Sequence, residues 1–288
     1  MSVEDFKKSG EISRKAREYA EEITVVGMKH IDLVEKIEEK IRKLGGKPSF
    51  PVDVSINSMA AHQTPNVGDE KVLEKGQVVK VDIGAHYHGY VTDNAVTVLL
   101  GAAEWKNLKK AANEALKAAI EQCTVGNQIR NIGKAIFQTI QSHGYNSIAN
   151  LSGHGIGQWI VHDAPTIPNY DNGDTTPLKE GQTIAIEPFA TDGVGAVKDG
   201  KGDSVYRLVQ KKPVRLDSVR KVLNYIEKEF MTLPFSPRWL THLQNYQFAV
   251  RTLEQEGVIT QYTELPEKSG GMVAQAEKSV MIGHGVLT

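Results

Sequence analysis

Five side chains in this sequence are an acid or an imidazole set in a β-like or glycine-rich stretch: Asp82, Asp93, His154, Glu187 and Glu277. Asp82 follows Val78, Val79 and Val81, and Glu187 follows Ile184, Ala185 and Ile186. A carboxylate in an apolar strand needs compensation, because burying one unpaired costs on the order of several kcal/mol after relaxation. Lys80 alone cannot serve them all, whereas a pair of divalent cations would. Four carboxylates and one imidazole suit first-row ions such as Mn, Fe, Co or Zn. A structural zinc site would favour thiolates and histidines instead. The single cysteine, Cys123, lies late in a helical pattern and reads as a small core side chain. Two cations a few Å apart can hold a bridging hydroxide and lower its pKa, which is the apparatus of hydrolysis. Taken one at a time, an acid of this kind is more often a salt-bridge partner or a strand-edge surface residue than a metal ligand. His154, between Gly153 and Gly155, could equally be a turn residue.

The elements that must position these groups can be read from pattern. An amphipathic helix is expected from about Val3 to Glu22, and a second from about His30 to Leu44, stopped by Gly45-Gly46. "PSFPVDVSIN" is extended in character because its prolines discourage helix. "GQVVKVDIGAHYHGYVTDNAVTVLL" reads as a β-hairpin; with its tip at Tyr87-His88, Asp82 and Asp93 stand opposite each other on one face. Two helices follow, Glu104 to Gln122 and Asn127 to His143, then the non-helical "NLSGHGIGQWIVHDAPTIPNY". "QTIAIEPFATDG" is a short buried strand that breaks at Pro188. "DSVRKVLNYIEKEF" and "PRWLTHLQNYQFAVRTLEQEG" make a helical block from about Val214 to Gly257, after which "GMVAQAEKSVMI" returns to β pattern. The reading is a single catalytic domain over residues 1–288, with an inserted helical subdomain over about 214–257. Helices followed by a hairpin occur twice.

In order, "VDIGAHYHGYVTDNAVTV", "SGHGIG", "IEPFAT" and "AQAEKSVMI" resemble the metal-binding segments of the methionine aminopeptidases and their prolidase and creatinase relatives. The Asp-x10-Asp spacing, the single histidine, Glu-Pro and the final glutamate agree with that family's ligand set. The resemblance runs from about Phe50 to the C-terminus. It implies an α/β (α+β) pita-bread fold, in which two related halves enclose two divalent ions. It also implies removal of the initiator methionine from nascent polypeptides, with a small second residue preferred and transient contact with the ribosome.

Two further histidines carry the substrate reading. His62 in "AAHQTPN" and His162 in "WIVHDAP" match the family's substrate-contacting pair. The resemblance gives His62 to the scissile amide and the leaving amine, and His162 to the substrate carbonyl. Glu187 would shuttle a proton besides ligating. Phe50, Val161 and Tyr262 match pocket-wall positions, and an apolar slot suits an unbranched thioether. The wall residue from the stretch Lys201 to Tyr206 is left open. The helical block between Glu187 and Glu277 resembles the type 2 enzymes of archaea, which lack the long charged extension of eukaryotic forms. Gln63 and "HDAPTIPN" depart from the usual pattern without removing a ligand.

Composition bounds the alternatives. The 288 residues are 40% hydrophobic and 24% charged with a net charge of −1, which disfavours electrostatic binding of nucleic acid or anionic membrane. One cysteine excludes an intrachain disulfide. The N-terminus lacks an apolar signal core and no stretch is long enough to span a bilayer, so a cytoplasmic protein is expected, and the resemblance implies a monomer. A proline-directed peptidase of the same fold is the nearest alternative, but such enzymes usually carry a large N-terminal domain. A binding homologue without catalysis would have lost ligands, and all five remain. The inserted helices have a winged-helix flavour, yet their charges balance and the basic footprint is missing.

Overall fold

The structure is a computed structural model that describes residues 2–288. The first half opens with α1 (Val3–Ile23) and α2 (His30–Lys43). The Ser2 hydroxyl caps α1 by accepting from the Asp5 amide at 3.1 Å, and Glu4 and Asp5 lie at the positive end of its dipole. Gly45, at φ +90°, ends α2. These helices pack on β1 (Asp53–Ile56), β2 (Val78–Tyr87) and β3 (Tyr90–Leu99), with β2 central and antiparallel to both. Leu33, Ile37 and Ile41 of α2 meet Val54, Val79 and Val81 in one buried core. Each such side chain contributes roughly 1.5–3 kcal/mol by leaving water. The small face of α1 lets it lie close to the hairpin. Ser9 donates to the Ala85 carbonyl at 3.0 Å, and Ser13 to that of Ile83 at 3.2 Å.

The second half repeats the plan. Its helices α3 (Lys106–Glu121) and α4 (Ile129–Ser142) cover a sheet built from β4 (Ser152–Gly157), β5 (Ile160–Pro168) and β6 (Thr183–Ile186), with β7 (Phe189–Thr191) following the break at Pro188. The chain then leaves this half for β8 (Gly202–Leu208), α5 (Asp217–Glu229), a 3-10 turn at Pro237–Leu240, α6 (Tyr246–Gln255) and β9 (Ile259–Thr263). It returns with β10 (Val273–Gln275) beside β7 and β11 (Lys278–Met281) beside β6, so that β11, β6, β4 and β5 lie in sequence across the sheet.

Three bodies meet at one seam. The tip of the β4–β5 hairpin lies on that of β2–β3. The Trp159 amide donates to the Gly89 carbonyl at 2.7 Å, and the Gln158 side chain to His88 at 3.0 Å. Gly89 has φ +86°, and a Cβ there would stand 2.3 Å from the Trp159 ring. The inserted segment joins them, with the Thr232 hydroxyl donating to the Trp159 carbonyl. Farther along, Arg238 pairs with buried Glu38 of α2 at 2.8 Å, and the Trp239 indole donates to the same carboxylate. No helix among the described residues is long and apolar enough to cross a membrane.

Three expectations need correction. The hairpin tip is His88-Gly89, so Asp82 faces Ala95 and Asp93 faces Gly84. The two aspartates are therefore diagonal neighbours on one face, not a direct pair. The stretch expected to be helical from Pro237 divides into the 3-10 turn and a shorter α6, because a turn through Asn245 at φ +61° intervenes. The segment around His154 is not helical, as expected; it forms a strand pair in which Gly153 and Gly155 are close-approach residues. A Cβ at either would come within 2.2 Å of a neighbouring carbonyl oxygen. Cys123 is half-buried against the second core, not within it.

Candidate active site

Asp82 and Asp93 come from the first half, on β2 and β3. His154 on β4, Glu187 just past β6 and Glu277 between β10 and β11 come from the second. Between the halves they line one cavity. Donor atoms of Asp93, His154 and Glu277 all lie within 4.8 Å of one another. His154 Nε2 is 3.5 Å from Glu187 Oε1 and 3.9 Å from Asp93 Oδ2. Its Nδ1–H points the other way, to the Gly155 carbonyl at 3.1 Å, which leaves Nε2 as the free donor atom.

The electrostatics are those of closely packed, buried acids. Burial, then repulsion from Asp93, Asp53 and Glu187, holds Asp82 well above the usual carboxylate range. Burial with neighbouring carboxylates does the same to Glu187 and Glu277, and burial pushes Asp93 up to about 7. His154 is pushed down to about 4, chiefly by burial. Asp82 Oδ1, Asp93 Oδ1 and Glu277 Oε1 are buried with no hydrogen-bond partner among the described residues. Buried carboxylate oxygens without partners, lining one cavity with an imidazole nitrogen, fit divalent cations.

The remaining expected residues line the same cavity: His62, His162, Phe50, Val161 and Tyr262. His162 packs edge-on to His154, ring centres 4.4 Å apart, and Tyr262 stands 5.4 Å from His62 and 5.9 Å from His162. Burial first, then His154, His62 and Arg207, pushes His162 down to about 3, so its ring is neutral. His62 Nδ1 donates to the Thr263 carbonyl at 3.0 Å. The Phe50 ring reaches the cavity over Gly84, where a Cβ would stand 2.1 Å from it.

Sequence reasoning missed four contributors. Gln275 donates to Asp82 Oδ2 at 3.0 Å and to Glu277 Oε2 at 3.3 Å, tying the halves' acids together. Val205 is the cavity residue from the stretch left open, and Pro234 joins it from the insertion. Asp53 also lines the cavity.

The chain resembles known proteins along its whole length. Residues 4–216 match metallopeptidase family M24. The methionine aminopeptidase of Methanothermobacter thermautotrophicus is 41% identical over 285 residues, which is 97% of this chain and 95% of that protein. A crystal structure of the methionine aminopeptidase from Thermotoga maritima covers 100% of this chain and 98% of its own at 25% identity, with a TM-score of 0.72. The structure of a thermophilic Arx1 superposes with a TM-score of 0.83 over 98% of this chain and 88% of its own, at 18% identity, a likeness of fold. With this pita-bread α/β fold and this match over the whole chain, the protein belongs to metallopeptidase family M24 and, within it, to the methionine aminopeptidases, metal-dependent hydrolases.

Proposed function

We propose that this enzyme removes the initiator methionine from new polypeptides whose second residue is small, using two divalent ions held by Asp82, Asp93, His154, Glu187 and Glu277. The observation that carries the reading is the convergence of that acid cluster, with its three unpartnered oxygens, beneath two histidines and an apolar wall in one cavity. The ions, any of Mn, Fe, Co or Zn by donor type, supply Lewis-acid polarisation of the scissile carbonyl and activation of a water.

The chain's own groups do the rest. Tyr262, its hydroxyl 3.5 Å from His162 Nδ1, can donate there, which leaves His162 Nε2–H to donate to the carbonyl oxygen as charge develops on it. Because Nδ1–H of His62 is given to the Thr263 carbonyl, its Nε2 faces the scissile amide free to accept the proton that Glu187 takes from the attacking water and to pass it to the leaving amine. Glu187 takes the proton given up by the attacking water. Phe50, Val161 and Tyr262, with Val205 and Pro234, form the slot for the methionine side chain. Residues 214–257 then act as an inserted wall of a single catalytic domain. The proposed setting is a cytoplasmic monomer meeting chains as they leave the ribosome.

The test is methionine release from Met-Ala-Ser beside Met-Lys-Ser and Ala-Pro-Ala, with protein stripped of metal and then given Mn or Co. Release from Met-Ala-Ser alone, restored by metal with two ions bound per chain, is the expected result. Cleavage of Ala-Pro-Ala alone would overturn the substrate assignment. Full activity with one bound ion would overturn the dinuclear one.

A further inference from the structure

The backbone at His62 lies at φ +64°, the left-handed region that non-glycine residues avoid at a cost of order 1 kcal/mol or more. Something must hold it there. Asp53, on β1 and 7% exposed, accepts from two consecutive amides: His62 N–H donates to Oδ2, and Gln63 N–H to Oδ1 at 2.9 Å. The Ser55 hydroxyl also donates to Oδ1, at 2.7 Å. The His62 ring is then caught by the Thr263 carbonyl and by the edge of Tyr262.

Asp53 lies directly across the sheet from Asp82 and lines the same cavity, so it could be taken for a sixth metal ligand. Its bonding says otherwise. Asp82, Asp93 and Glu277 each keep one buried oxygen without a partner among the described residues, whereas both oxygens of Asp53 are engaged. The buried Lys80 ammonium on β2 is itself held by the Asn57 carbonyl at 2.6 Å.

We propose that Asp53 is a positioning residue: it clamps the strained turn at His62 through two amides and so aims the imidazole at the scissile bond. This rests on the role given to His62 above. An asparagine at this position offers one acceptor oxygen to two amides, and an alanine offers none.

The experiment compares the native enzyme with Asp53→Asn, Asp53→Ala, His62→Ala and the Asp53→Ala/His62→Ala double variant. It reads kcat, KM and bound metal on Met-Ala-Ser. Asp53→Ala is expected to lower kcat about 100-fold, the scale on which small misplacements cost rate. KM and metal content should hardly move, and Asp53→Asn should fall between. The double variant should match His62→Ala, because a residue acting through His62 has nothing left to act on. If Asp53→Ala slows the His62→Ala enzyme as much as it slows the native one, or strips its metal, the proposal fails. A fully active His62→Ala would instead remove the role assigned to His62. The clamp is then decided by the NMR signal of the His62 Nδ1–H, expected to be lost in Asp53→Ala; its persistence there would overturn the clamp.

Discussion

The two hairpins that face each other across the site are built to different standards. In the first half, β2 and β3 pair without interruption from Val78↔Leu99 to Tyr87↔Tyr90. In the second, β4 and β5 shift register twice, between His154 and Gly155 and between Gly155 and Gly157. The regular ladder carries two aspartates two rungs apart, and their separation is fixed by the pleat. The irregular one carries His154 and His162, whose rings meet 4.4 Å apart. In an unbroken ladder a side chain can point only to one face or the other, and a bulge re-aims it. The same plan, used twice, gives a regular acid platform and a re-aimed pair of imidazoles.

This contrast is open to experiment. The largest effect is expected on the regular side. Asp93→Ala removes a member of the tight Asp93–His154–Glu277 cluster. Bound metal and methionine release should fall together, activity by about 1,000-fold or more, since metal assistance is worth several kcal/mol and each 1.36 kcal/mol is tenfold. Retained metal with retained activity would break the comparison. On the irregular side, His162→Ala should keep its metal and lose roughly 100-fold in kcat, the scale of one oxyanion donor. Metal loss in that variant would mean the histidine is part of the platform.

The smallest effect belongs to the seam. His86 accepts from the Gly89 amide at 3.2 Å and packs 5.0 Å from the Trp159 ring. Burial first, then Lys47, pushes its pKa down to about 4. The unfolded chain takes up that proton near pH 6.5, so between the two values it binds more protons than the folded chain does. Stability from this source is complete above about pH 6.5 and is lost as the pH falls toward 4, roughly 3 kcal/mol at most. His86→Gln keeps an acceptor for Gly89 and does not titrate. Urea midpoints at pH 7 and 4.5 should therefore diverge less in the variant, and equal divergence would remove His86 as the cause.

Much of this could be read from residue order, for identifiable reasons. Asp82 was legible because valines before it mark a buried strand, and buried acids demand a partner. The diagonal placement of Asp93 was missed because the tip lies one residue later than expected. The signal was present in Gly89, since His88 at φ +51° and Gly89 at φ +86° form the two-residue turn that twisted hairpins favour. Asp53 satisfies the criterion that singled out Asp82, an acid between Val52 and Val54, and its role lay hidden because its partners are backbone amides. Gln275 stands two residues before Glu277, but the chain bends between β10 and β11, so spacing alone does not say that both turn inward. Val205 reaches the cavity only through the packing of the insertion. The pita-bread architecture came from family resemblance, because helix and strand periods do not specify how two halves close on each other.

The chain has three tryptophans, two in the second half and one in the insertion. Trp105 packs against the core of the second half, Trp239 lies where the insertion grips α2, and Trp159 lies at the tip-to-tip contact. The molecule therefore carries its own optical reporters. Single-tryptophan versions would let intrinsic fluorescence separate closure of the halves from docking of the insertion, without any added label.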